Sequence, residues 1–175
     1  MLLLVVDTQK LLINEELFSL EKFIDTIKTL ISKARKNNVE VVYVMHDEGD
    51  DGELTKGKDG FEVYEEFMPM KNEQVFVKNL NSSFKNTGLV NYLKEKKQQD
   101  IVVVGLQTDK CIDATVKCGF EHGFNIIVPA YANGAINNDF MTAEESYRYY
   151  NEFMWKGRYA ECISLEETIK RMENN

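Results

Sequence analysis

Several short runs of this chain are apolar at nearly every position, and these runs constrain the fold more than any other feature. Residues 2–6 read Leu-Leu-Leu-Val-Val and residues 101–106 read Ile-Val-Val-Val-Gly-Leu, while 39–45 and 124–128 are almost as apolar. A strand with one wet face alternates apolar and polar residues. A run that is apolar throughout has both faces covered, as in the interior of a parallel sheet. Between the runs, Phe23, Ile27, Leu30, Ile31 and Ala34 recur at helical spacing, with Ser19 as a candidate N-cap. Further helices are expected around Leu89–Leu93, from Cys111 to about His122, from Thr142 (capped by Glu145) to about Trp155, and after Ser164 and Glu167. With weaker strands at 74–78 and 162–165, the pattern predicts a three-layer α/β/α architecture. Its core is a doubly wound, mostly parallel sheet of about six strands joined by right-handed crossovers.

The 175 residues suit one domain, 1–175. Residues 47–73 have no clean period and contain Gly49, Gly52, Gly57 and Gly60, so a loop-rich insertion is expected there, either functional or mobile. The apolar start at 2–6 is too short for a secretory core or a membrane span, so the cytoplasm is the expected compartment and no membrane partner is expected. Three cysteines without framework spacing do not make a disulfide scaffold. A net charge of -8 argues against nucleic acid as a partner, because duplex affinity rests on neutralising phosphates. The expected partner is a small-molecule substrate.

In a doubly wound sheet the ligand lies beyond the carboxyl ends of the strands. Asp7, His46, Lys78 and the segment Gly105-Leu106-Gln107-Thr108-Asp109-Lys110-Cys111 all fall there. A thiol in the first turn of a helix, with Thr108 or Asp109 as cap, faces unpaired N–H groups and the positive dipole end, which favour a thiolate. Cys111 is therefore the candidate nucleophile, with core packing as the competing reading; Cys118 and Cys162 are read as structural. Asp7 alone would be a carboxylate accepting turn N–H groups, and Lys78 alone a solvent-facing cation. Together with Cys111 they form a base, a thiol and an ammonium that holds and polarises the base.

Val6-Asp7-Thr8-Gln9, Lys78 before Asn81-Ser82-Ser83-Phe84, and the Thr108-Asp109-Lys110-Cys111 segment together resemble the isochorismatase-like cysteine hydrolases, a superfamily that includes nicotinamidases and carbamoylsarcosine amidases. The resemblance spans about residues 1–165. It implies a catalytic Asp7, Lys78 and Cys111, a non-proline cis peptide at Leu106–Gln107, and an oxyanion hole from the backbone N–H groups of Gln107 and Cys111. It also implies a homodimer or homotetramer. Nicotinamidases carry Asp-x-His and a further His around a metal, whereas this chain has His46-Asp47-Glu48-Gly49-Asp50-Asp51 and no second histidine before His122. Lys10-Leu11-Leu12 replaces the family's Asn-Asp-Phe, and Tyr131-Ala132 stands where many members have Asp-Ala. Isochorismatases proper lack the cysteine, so Cys111 argues for amide or other C–N hydrolysis. The expectation is a cysteine hydrolase of a small amide, ureide or carbamoyl compound, with no cofactor and no metal. A nicotinamidase, or a metabolite-binding or interaction protein that kept the scaffold without activity, stands as the alternative.

Gln9, His46, Phe61, Tyr64 and Tyr131 are candidate substrate-pocket residues; for His46 a hydrogen-bonded structural role competes, and for Phe61 and Tyr64, with Phe67, packing of the insertion. The acidic group Asp47, Glu48, Asp50 and Asp51 misses EF-hand spacing and reads as an exposed turn. Tyr147, Tyr149, Tyr150, Phe153, Met154 and Trp155 make the 142–156 helix aromatic on more than one side, which fits either an oligomer contact or core packing. No phosphate-binding loop, dinucleotide fingerprint, nucleophile elbow or zinc-helix motif is present.

Overall fold

A computed structural model describes residues 1–50 and 52–175; Asp51 of the acidic turn lies outside the described residues. The chain alternates β1 (Leu2–Val6), α1 (Leu20–Lys36), β2 (Glu40–His46), β3 (Gln74–Lys78), α2 (Leu89–Glu95), β4 (Asp100–Leu106), α3 (Asp113–Glu121), β5 (Asn125–Pro129), β6 (Asn133–Gly134), α4 (Ala143–Arg148), β7 (Glu161–Ile163) and α5 (Leu165–Glu173). The strands form one sheet in the order β3-β2-β1-β4-β5-β7, with the short β6 pairing on β4, and every pair is parallel. The sheet thus has one strand more than the six expected. The addition is the two-residue β6, too short to leave a periodic signal.

Leu2 to Val6 are each 0% exposed, which the all-apolar run required. Leu3 and Val5 pack into one core layer with Phe23, Ile27 and Leu30 of α1 and Met172 of α5. Leu2, Leu4 and Val6 pack into the other with Leu89 and Leu93 of α2, Val116 of α3 and Trp155. Each such side chain contributes about 1.5–3 kcal/mol by leaving water. Together the two layers give the three-layer α/β/α fold.

Strand order reverses at β1: β2 and β3 extend to one side, β4 and β5 to the other. This switch point opens a crevice at the carboxyl ends of β1 and β4. The two strands approach closely there because residue 105 has no side chain. A Cβ at Gly105, whose φ is +125°, would lie 1.9 Å from the Val6 carbonyl oxygen.

The 47–73 insertion is pinned rather than loose at its second half. Lys10 N–H donates to the Glu62 carbonyl (2.9 Å) and Tyr64 N–H to the Thr8 carbonyl (2.9 Å). Phe61 and Phe67 are buried in the α1-side core, and the Tyr43 hydroxyl donates to the Phe67 carbonyl at 2.7 Å. Two helices depart from the expected regular form. The segment that carries Cys111 is a π-helical turn, Thr108–Ile112, ahead of α3. The helix begun by the Thr142–Glu145 capping box turns π-helical at Tyr149–Met154. That wider turn brings both Asn151 and Trp155 inward, the indole N–H donating to Asp113 at 2.8 Å. Ser19 occupies the N-cap position of α1 in a left-handed conformation and makes no side-chain cap bond.

Candidate active site

Asp7 follows β1 with φ 50°, a left-handed conformation that Asp tolerates better than most residues. Its N–H donates to the Val44 carbonyl at 2.8 Å, so the backbone turns while staying tied to β2. Its carboxylate is 1% exposed and accepts from the Lys78 ammonium at 2.7 Å through Oδ2, while Oδ1 has no hydrogen-bond partner. Lys78 ends β3 opposite His46 in the β2–β3 register, and its ammonium crosses beneath β2's end to reach Asp7. It also donates to Cys111 Sγ at 3.2 Å and lies 3.2 Å from His46 Nδ1. An ammonium has three hydrogens, and here each has an acceptor.

Asp7, His46 and Cys111 offer donor atoms all within 4.8 Å of one another. That spacing suits a metal ion, but the Lys78 ammonium already lies among them as the cation. The histidine-rich metal set of nicotinamidases does not fit these residues: the second histidine, His122, packs beside the Phe84 ring, 5.7 Å between centroids, beyond the far end of α3.

Burial pushes the Asp7 carboxyl up from the usual carboxylate range, against the opposing pull of Lys78. Burial first, and then the Asp7 charge, push the Cys111 thiol up to about 12. This corrects the thiolate expected from a helix N-terminus. The dipole of one turn is outweighed by desolvation and an adjacent carboxylate. The thiol therefore rests protonated beside the 2.7 Å Asp7–Lys78 contact, and the unpartnered Asp7 Oδ1 is an acceptor available to its proton. Burial and the Lys78 charge lower the basicity of His46.

Asp7, His46 and Cys111 line a cavity of about 200 Å³ together with Leu12, Glu48, Leu54, Asn81, Gln107 and Lys110, whereas Lys78 lines the neighbouring basin. A larger polar basin of about 750 Å³ lies beyond His46 and Glu48, toward Asp47, Asn79 and Asn86. The Leu106–Gln107 peptide is cis, as the resemblance implies. Of the candidate pocket residues, His46 lines the cavity. Gln9 instead uses both ends of its amide on the His46 backbone, at 2.9 and 2.8 Å. Phe61 packs in the core, and Tyr64 packs partly buried against it, because the insertion folds down onto the segment after β1. Tyr131 stacks on Tyr147, ring centroids 5.4 Å apart, and lies under the Lys22 ammonium. None of these four lines the cavity.

Sequence reasoning did not single out Leu12, Leu54, Asn81 and Lys110 as cavity walls. Only Asn81, three residues past Lys78, and Lys110, next to Cys111, lay within the motifs the sequence offered. It also missed a buried amide network behind Cys111. The Thr108 hydroxyl donates to Asn133 Oδ1 at 2.7 Å, and the Asn133 and Asn151 amides pair reciprocally at 2.9 and 3.0 Å. This ties the turn that carries Cys111 to β6 and to the π-helical segment.

The family model for the isochorismatase domain matches residues 1–164. The chain is 30% identical over 162 residues to an isochorismatase family protein, YddQ, of Bacillus subtilis, covering 86% of each chain. Among solved structures, a cysteine hydrolase from Pseudomonas syringae pv. phaseolicola superimposes with a TM-score of 0.89 at 24% identity, covering 99% of this chain and 92% of that one. N-carbamoylsarcosine amidase from Thermoplasma acidophilum superimposes with a TM-score of 0.76 at 26% identity, covering 94% and 95%. With its Asp, Lys and Cys gathered at the switch point of this sheet, the chain belongs to the isochorismatase-like cysteine hydrolase superfamily.

Proposed function

We propose that residues 1–175 act as one domain that hydrolyses a small amide, ureide or carbamoyl compound through a thioester on Cys111. The observation that carries this reading is the buried ammonium of Lys78, within hydrogen-bond distance of both the Asp7 carboxylate and the Cys111 sulfur, two groups that line a small cavity. Asp7 Oδ1 takes the thiol proton as Sγ attacks the carbonyl carbon, and the backbone N–H groups of Gln107 and Cys111 hold the developing oxyanion. The proton on Asp7 passes to the leaving nitrogen, the C–N bond breaks, and ammonia or an amine departs. Water then enters, Asp7 removes its proton, and the hydroxide attacks the thioester to release the acid and restore the thiol. Lys78 holds Asp7 in place throughout and favours its ionised form each time it must act as a base. The likeness to N-carbamoylsarcosine amidase supports C–N hydrolysis.

No described helix is long and apolar enough to cross a membrane. The proposed setting is the cytoplasm, and the proposed assembly a homodimer or homotetramer, supported by Phe140 and Phe153, which are 93% and 70% exposed.

A panel of small amides and ureides, read by ammonia release, tests the reading. Turnover should vanish in Cys111→Ala, and mass spectrometry of the quenched wild-type protein should find an acyl group on Cys111. Full turnover by Cys111→Ala would refute the mechanism. Nicotinamide cleavage lost on metal removal would restore the nicotinamidase alternative.

A further inference from the structure

We propose that His46 recognises substrate as a neutral imidazole whose Nε2–H donates to an acceptor beside the scissile carbonyl. The preferred substrates are then small amides or ureides bearing a second carbonyl-type oxygen. This inference rests on the cysteine-hydrolase reading and names the substrate class of that site.

The tautomer follows from donor counting. The Lys78 ammonium carries hydrogens and no lone pair, so any group bonded to it must accept. His46 Nδ1 is 3.2 Å from that nitrogen. Nδ1 therefore holds a lone pair, and the ring proton resides on Nε2. The other two ammonium hydrogens go to Asp7 Oδ2 at 2.7 Å and Cys111 Sγ at 3.2 Å, so the lysine that orders the catalytic pair also fixes the imidazole. Burial and the Lys78 charge favour the neutral ring, with Asp7, Glu48 and Asp47 acting in the opposite direction.

Position completes the argument. The Gln9 amide holds the His46 backbone from both sides, at 2.9 and 2.8 Å, so the ring is carried by a braced strand end. His46 lines both the cavity at Cys111 and the outer polar basin. Among the described residues, Nε2 has no hydrogen-bond partner, while Nδ1 has Lys78. A fixed donor on a residue that lines a substrate cavity selects for acceptors. A ligand lacking one leaves the N–H unpaired and binds more weakly.

Two measurements on the full chain test this. In long-range ¹H–¹⁵N spectra of the labelled wild-type protein at pH 7, His46 should show a protonated Nε2 and an unprotonated Nδ1. In Cys111→Ala, which cannot form the thioester, malonamide should bind at least about ten-fold tighter than 3-methylbutanamide, its near-isostere with one carbonyl. The preference should disappear on adding His46→Asn, whose amide ends near the Nδ1 position, and survive in part with His46→Gln, whose amide extends toward Nε2. A protonated Nδ1, an imidazolium at pH 7, equal affinity for the two amides, or a preference that persists in His46→Asn would overturn the proposal. Failure of the hydrolase reading looks different: the binding preference and tautomer hold, yet wild-type protein releases no ammonia from any amide or ureide.

Discussion

Replacing Asp7 with Asn should uncouple the reactivity of the thiol from the activity of the enzyme, and in opposite directions. The carboxylate and the sulfur lie within 4.8 Å. At that separation and an effective dielectric constant of about 20, a carboxylate and a thiolate repel by about 3.5 kcal/mol. The Lys78 ammonium, 3.2 Å from the sulfur, attracts a thiolate by about 5 kcal/mol on the same scale. Asp7→Asn removes the repulsion and leaves the attraction, so the thiol should fall from about 12 toward the ordinary cysteine range. Alkylation of Cys111 by iodoacetamide at pH 8, followed by mass spectrometry, should then run roughly 10- to 100-fold faster than in wild type. Turnover should fall by about 10²- to 10⁴-fold, because no group remains to move the proton between sulfur, leaving nitrogen and water. Adding Lys78→Met should cancel the gain in alkylation. If Asp7→Asn instead slows alkylation, the carboxylate already holds the thiol proton in the resting enzyme, and the electrostatic assignment is wrong.

Gly105→Ala should cost several kcal/mol, because its Cβ would lie 1.9 Å from the Val6 carbonyl oxygen at a φ of +125°; calorimetry should show the unfolding midpoint lower by roughly 5–15 °C. Asn133→Leu should leave the Thr108 hydroxyl and the Asn151 amide oxygen unpaired in a buried site, while Asn151 Nδ2 keeps the Tyr147 carbonyl, costing about 1–3 kcal/mol per group by denaturant titration. It should also lower kcat more than it raises KM, since the turn carrying Cys111 loses its brace. The thiol's folded-state pKa of about 12 stands above the ordinary 9, so its ionisation favours unfolding. That stability is present below pH 9 and is lost as pH rises toward 12; followed by circular dichroism, Cys111→Ala should lose less stability over this window, the remainder coming from groups such as Cys162, raised to about 11.

The central strands and the site's floor were legible because each leaves a local mark. Leu2 to Val6 and Ile101 to Val104 are apolar at every position since both faces are covered, and no other environment in water tolerates that run. Asp7, Lys78 and Cys111 sit where strands end, so a strand count alone delivers them to one edge of the sheet. What the sequence determined was therefore periodicity and position along the chain. The tertiary structure decided which groups meet and in what state. Gln9 is polar in sequence, and only the fold assigns its amide to the His46 backbone. Phe61 and Tyr64 were equally able to wall a pocket or pack the insertion, and the docking of residues 61–67 against the segment after β1 settled them in the core or against it. The protonation of Cys111 likewise depends on desolvation and on a carboxylate 104 positions away in the chain. Burial and electrostatic coupling are set by distances in space, and a sequence records only separations along the chain.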